Sequence, residues 1–174
     1  MNTAMAKPKA ETTVPVMANR APWNEIVLQG KRKIKTLSFN LKHRGLMLLY
    51  TSSNRQDDFG WDAYGLQTKD LPKGAIVGYV NVINVMLTDD LIDDFFHEDP
   101  ALYDTTGQPY VAIVSEPKRF KKPIPFKPPK GAVRFFRAPA KFLNRATVSE
   151  RADAVRARNW DQTRVPVKAK RATA

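Results

Sequence analysis

Four cations lie within five residues, Lys31, Arg32, Lys33 and Lys35, directly after Gly30. Side chains of this type and spacing suit phosphate contacts, each adding mainly sequence-independent affinity with a salt slope near −0.7 per contact for single strands. On a strand, Lys31, Lys33 and Lys35 share one face and Arg32 takes the other, toward a cleft. The same pattern also suits a solvated edge that lysines guard against pairing with other chains. Arg20 and Trp23 precede the glycine. The Trp23 ring suits stacking on a base, worth ~1–3 kcal/mol, or a place in the core with Ile26 and Val27 at helical spacing. Lys42 and Arg44 extend the cationic set, and Ser52, Ser53 and Asn54 end an apolar run with small polar groups suited to a cleft or to a plain turn. Further on, Lys118, Arg119, Lys121, Lys122, Arg134 and Arg137 interleave with Phe120, Phe126, Phe135 and Phe136. That mixture suits single-stranded RNA, or aromatics that fasten the segment to the domain.

Other chemistries have less to draw on. The absence of cysteine removes disulfides, thiol catalysis and cysteine-based zinc sites together. His43 and His97 are the only histidines, which leaves little for a zinc site or a Ser-His-Asp triad. Asp89, Asp90, Asp93, Asp94, His97, Glu98 and Asp99 are dense enough to suggest a metal. Consecutive carboxylates at a helix start ordinarily face water, so no metal and no cofactor is expected. Gly30-Lys31 lacks the upstream glycine of a phosphate-binding loop.

The net charge of +12 is unevenly spread. Residues 1–56 carry a net of +8, residues 57–116 a net of −10, and residues 117–174 a net of +14. Basic segments flanking an acidic middle point to a polyanion, RNA or another single-stranded nucleic acid, with an acidic protein as the alternative partner. The opening residues lack the apolar core of a signal peptide, and no apolar run approaches the ~18–20 residues that span a bilayer. The expected setting is soluble, reducing and cytoplasmic, with no membrane contact.

These residues must be held by a fold, and 174 residues suffice for one domain. Residues 1–11 read as a flexible lead. Thr12–Met17 reads as a short strand that Pro15 confines to an edge or a start. A helix over Arg20–Gly30, with Pro22 at its first position, stops at Gly30. Strands follow at Lys33–Phe39 and Leu46–Thr51, the second buried on both faces. A short helix is expected around Trp61–Leu66. Ala75–Leu87 is the strongest strand, with a bend near Asn81–Asn84. Thr88 is placed to cap an acidic helix, and Tyr110–Ser115 is another strand. The proline-rich 117–139 reads as an extended basic connection in which Val133–Phe136 pairs with a sheet. The capping-box spacing Thr147-Val148-Ser149-Glu150 opens a helix within 144–160, followed by a disordered basic tail at 161–174. Strands with few helices indicate a compact α+β barrel over 12–143.

RAPWNEIVLQGKRKIKTLSF resembles the opening of an ASCH domain, a member of the PUA-like superfamily. RGLMLLYTSS, LPKGAIVGYVNVINV and SEPKRFKKPIPFK resemble later family segments in the right order. The resemblance implies a small β-barrel flanked by helices, here with a basic C-terminal extension, and a cleft beside the first helix. It also implies RNA binding, and in some members hydrolysis of acetylated cytidine or cleavage of RNA by residues of a glycine–lysine motif. In this chain the lysine position of that motif is Arg32, the glutamate or threonine position is Lys35, and the arginine position is Leu37. Arginine cannot lose its proton as a catalytic lysine must. The expectation is therefore a non-catalytic RNA-binding protein, with a role in a larger ribonucleoprotein assembly; were it an enzyme, Arg32 and Lys35 would carry the chemistry.

Overall fold

A computed structural model describes residues 12–55, 68–91 and 107–148. The strands are β1 (Thr13–Ala21), β2 (Ile34–Leu37), β3 (Gly45–Arg55), β4 (Ala75–Leu87), β5 (Tyr110–Pro125) and β6 (Phe135–Pro139), with one helix, α1 (Trp23–Leu28). They form a single sheet in the order β2-β5-β4-β3-β1-β6. All its pairs are antiparallel except β1 with β3. The sheet is mixed and open, which corrects the expectation of a closed barrel. β2 has four residues and β6 five, and no ladder joins them. The curled sheet brings these outer strands near each other through side chains instead. Phe39, just past β2, meets Phe135 edge-to-face at 5.0 Å between ring centroids.

The apolar run in β3 explains why both faces of the sheet are filled. Met47 and Leu49 point to one core with Val27, Leu28, Leu37, Val80 and Val114. Leu48 and Tyr50 point to the other with Val16, Ile76, Phe120, Ile124 and Phe136. Alternation along the strand sends successive side chains to opposite faces. α1 covers the first core. The segment after β5 covers the second, with Phe126 stacked on Phe136 at 5.6 Å and edge-on to Phe142. The late aromatics therefore fasten this segment to the sheet.

α1 is shorter than expected, and Arg20 and Ala21 belong to β1. Pro22 is the residue flanking the helix, one place before its first position. The exit is as expected. Gly30 has φ +72 and donates to Val27 O, while Lys31 N–H donates to Ile26 O, the paired bonds of a left-handed helix stop. Close approach matters at one further glycine. A Cβ on Gly78 would lie 2.1 Å from Lys118 O and 2.9 Å from Leu28 Cδ2, so β4, β5 and α1 pack this tightly only around glycine.

β4 runs over the expected residues and shifts register at Tyr79/Asn81 and Val82/Asn84. Pro15 precedes the β3 pairing, which starts at Val16, so its missing N–H costs no bond although β1 is an interior strand. β5 continues as a paired strand through Pro117 and Pro123, where an extended basic connection was expected. Pro117 and Pro123 sit at register shifts, and Glu116 beside Pro117 has φ 49. A bulge needs no ladder N–H at those places. Thr88 lies inside a short 3₁₀ turn, Thr88–Asp90, and its hydroxyl donates to Gln108 O at 2.6 Å rather than capping. Thr147 bridges to Phe120. The expected helices near 61–66, after 91 and after 148, and both expected tails, lie outside the described residues. Among the described residues no helix is long and apolar enough to cross a membrane.

Candidate functional site

A cleft of about 530 Å³ opens between the two outer strands, where the sheet fails to close. β1 contributes Met17, Ala18, Asn19 and Arg20, and the start of α1 contributes Trp23. Thr36, Leu37 and Ser38 come from the end of β2, Ser52 and Asn54 from β3, and Val133, Arg134 and Phe135 from the entry to β6. Gln108, ahead of β5, completes the lining. Arg20 and Arg134 are exposed, whereas Trp23 and Phe135 are half-buried. Two guanidinium groups and the Asn54 amide are thus on the open side, with both aromatic rings more enclosed.

Behind this wall lies a buried polar network. Asn24 Nδ2 donates to Tyr50 O at 2.9 Å and to Thr51 Oγ1 at 3.2 Å. Its Oδ1 accepts from Lys35 Nζ at 2.9 Å and from Asn19 Nδ2 at 3.0 Å. Lys35 is 4% exposed. Burial, and secondarily the charge of Arg32, lower its pKa well below the usual lysine value. Its Nζ is held by an amide oxygen rather than by a carboxylate. Arg32, equally buried, donates from Nε to Ile34 O at 3.0 Å, and its guanidinium carbon lies 4.8 Å from the Trp23 ring centroid. Arg32 therefore supports Trp23 by a cation–π contact.

These positions revise the alternation expected after Gly30. β2 begins only at Ile34, so Lys31, Arg32 and Lys33 occupy the irregular connection ahead of it. Lys31 is exposed and Lys33 half-buried, while Arg32 and Lys35 are both enclosed. Lys35 therefore does not share an outer face with Lys31 and Lys33. Of the expected contacts, the cleft gathers Arg20, Trp23, Ser52, Asn54 and Arg134. Ser53 is exposed and does not line it. Lys42 is exposed, and Arg44, at the other end of β3, donates to Leu41 O at 2.9 Å and His43 O at 3.0 Å. Lys118, Lys121 and Lys122 are exposed along β5. Arg119 makes a two-pronged pair with Glu25 at 2.5 and 2.6 Å. Arg137 donates to Thr13 Oγ1 at 2.7 Å and Thr13 O at 2.8 Å.

Sequence reasoning missed Asn19, Asn24 and Gln108. Asn24 did carry a signal: an amide placed three and four residues before Val27 and Leu28, on the face that α1 buries. Gln108 carried none.

No protein-family model and no curated protein matches the sequence. Solved structures do. The crystal structure of ASCH from Zymomonas mobilis aligns at 10% identity and TM-score 0.43, covering 73% of this chain and 88% of the other. A tyrosine-to-phenylalanine mutant of that protein gives 10%, 0.45, 77% and 98%, and a serine-to-alanine mutant 10%, 0.44, 73% and 89%.

Proposed function

We propose that this protein binds single-stranded RNA in the cleft between β2 and β6, without catalysing its conversion. One observation carries the reading: two neighbouring strands at one edge of the sheet, β1 and the entry to β6, each bring an exposed arginine, Arg20 and Arg134, to one cleft lined by Trp23. Guanidinium groups suit backbone phosphate, and an aromatic face suits an unstacked base. The volume falls within the ~300–1,000 Å³ common for pockets that enclose small ligands, so the cleft suits a splayed-out nucleotide better than a duplex. The exposed Lys118, Lys121 and Lys122 and the basic residues after 148 suit the continuing strand or an assembly partner.

Fluorescence anisotropy with labelled single-stranded RNA, duplex RNA and single-stranded DNA at several salt concentrations tests this. Single-stranded RNA should bind most tightly. Arg20→Ala and Arg134→Ala should each lower the salt slope by about 0.7, and Trp23→Ala should weaken binding by ~1–3 kcal/mol. Binding that all three variants leave intact would place the ligand elsewhere.

A diverged nucleoside amidohydrolase or ribonuclease is the second reading, and the lowered pKa of Lys35 is what favours it, since a neutral amine can take a proton or attack a carbonyl. Lys35 does not line the cleft and lies one hydrogen-bonded residue behind Asn19, which ranks this reading below binding. Turnover of modified cytidines or RNA that Lys35→Ala abolishes would reverse the ranking.

A further inference from the structure

We propose that a second hollow, separate from the cleft, docks a partner protein through an acidic segment that carries one apolar side chain. This inference is independent of the RNA reading. Along the chain the linings of the two hollows alternate. Arg20, Trp23 and Ser52 line the cleft, whereas Ala21, Pro22 and Thr51 line the second hollow. The corner between β1 and α1 therefore divides them. The second hollow measures about 170 Å³, below the ~300–1,000 Å³ common for pockets that enclose small ligands. That leaves room for a single side chain.

Its chemistry suits an apolar guest. Ala21, Thr51, Val77 and Phe120 are buried and make its floor, while Leu71 and Pro72 are half-buried and Pro123 and Val148 exposed around it. Thr51 Oγ1 already accepts from Asn24, and the Glu25 carboxylate is engaged by Arg119 and Gln29. A nucleobase would leave its polar edge unmet there, a cost that an apolar side chain does not incur. The charge around this floor is positive. Residues 69–73 and 119–122, which supply two of the walls, carry five cations and one carboxylate. Lys121 lines the hollow and is exposed. A segment with Asp or Glu on both sides of an apolar anchor meets this arrangement: charge steers the encounter and the buried anchor fixes the place. The chain's own residues after 148 answer it poorly, with seven cations against three carboxylates. The walls are held before a partner arrives. Gly74 N–H donates to Thr51 O at 2.8 Å, Val148 N–H to Arg119 O at 2.8 Å, and Lys121 N–H to Ala146 O at 2.9 Å. A site shaped in advance loses little conformational freedom on binding.

A random peptide display library selected on the full chain, followed by anisotropy titration of the enriched sequences as labelled synthetic peptides, tests the assignment. Enriched sequences should carry Asp or Glu on both sides of one Leu, Ile, Met or Phe. Changing that anchor to Ser should weaken binding about tenfold, the worth of burying one apolar side chain. The same change should cost little against Val148→Asp, which puts a carboxylate on the rim. Lys121→Gln should weaken the acidic peptides about threefold, as the loss of one exposed charge pair does. Both positions are exposed, so melting temperatures should match that of the natural chain. Failure to enrich acidic sequences, or an anchor change without effect, would overturn this inference and leave RNA binding at the cleft untouched. An anchor effect that persists in Val148→Asp would place the site elsewhere and overturn it too. If Lys121→Gln weakened single-stranded RNA and left the peptides alone, the surface would belong to the nucleic acid and the partner assignment would fall.

Discussion

Two sides of α1 hold a cation, and they hold it differently. On one side Arg119 meets the Glu25 carboxylate through two short bonds, and Gln29 Nε2 donates to the same carboxylate at 3.0 Å. Charge is kept there because opposite charge answers it, and the pair is partly open to solvent, at 25% and 12% exposure. On the other side Lys35 is enclosed, its first neighbour is an amide, and its nearest charge is another cation. Burial there disfavours the charged form. The lesson concerns how basic residues are counted. Arg119 is paired with Glu25 and Lys35 is enclosed, whereas Arg20 and Arg134 are exposed at the cleft.

The sharpest way to break this comparison is to remove the amide. Asn24→Ala leaves Tyr50 O, Thr51 and Lys35 Nζ without their shared buried partner, and unsatisfied buried groups cost ~1–3 kcal/mol each. A loss of about 3 kcal/mol in urea unfolding is expected, with weaker ligand binding because Asn19 loses its orientation.

Glu25→Gln comes next. It should cost about 1 kcal/mol, discounted for solvent exposure. A double-mutant cycle with Arg119→Met should return most of that as coupling. A loss as large as that of Asn24→Ala would show that both sides of the helix rely equally on buried polar groups.

Lys35→Met has the smallest effect at neutral pH and the most informative pH dependence. The native pKa of Lys35 lies below its unfolded value of about 10.4, so between the two the unfolded chain binds more protons and stability rises with pH. Below the native pKa and above the unfolded one, the contribution is flat. Melting temperatures recorded across the alkaline range should rise for the natural chain relative to Lys35→Met, after correction for other groups common to both. Parallel curves would mean that Lys35 keeps its proton.

Much of the sheet was legible because local signals and tertiary demands agree. Ala75–Leu87 is rich in β-branched residues and is paired on both sides. Gly30 ends α1 through the bonds its sequence context foretold. Legibility failed where a local signal has two structural meanings. Proline can break a strand or sit in its bulge, and only the partner strand decides, as at Pro117 and Pro123. A lysine run reads as an outer face until a helix covers part of it, as α1 does with Lys35. The cleft was half legible. Arg20, Trp23, Ser52, Asn54 and Arg134 announced themselves by charge, aromaticity or small polar groups at a strand end. Asn19 and Gln108 are neutral amides whose place in the lining depends on which strands the sheet brings together.

The outermost pairing of the sheet has a consequence for how the protein comes to exist. Thr13 and Arg137, bonded across β1 and β6, are 124 positions apart. Joining so distant a pair demands a large loop closure before any contact rewards it. During synthesis, β1 must wait until residue 139 has left the ribosome before β6 can lie against it, and the ligand cleft comes into being only at that moment. Nascent chains halted before Arg134 would therefore carry most of the sheet but not the finished cleft, so the binding proposed for it should arise late and abruptly as the polypeptide lengthens.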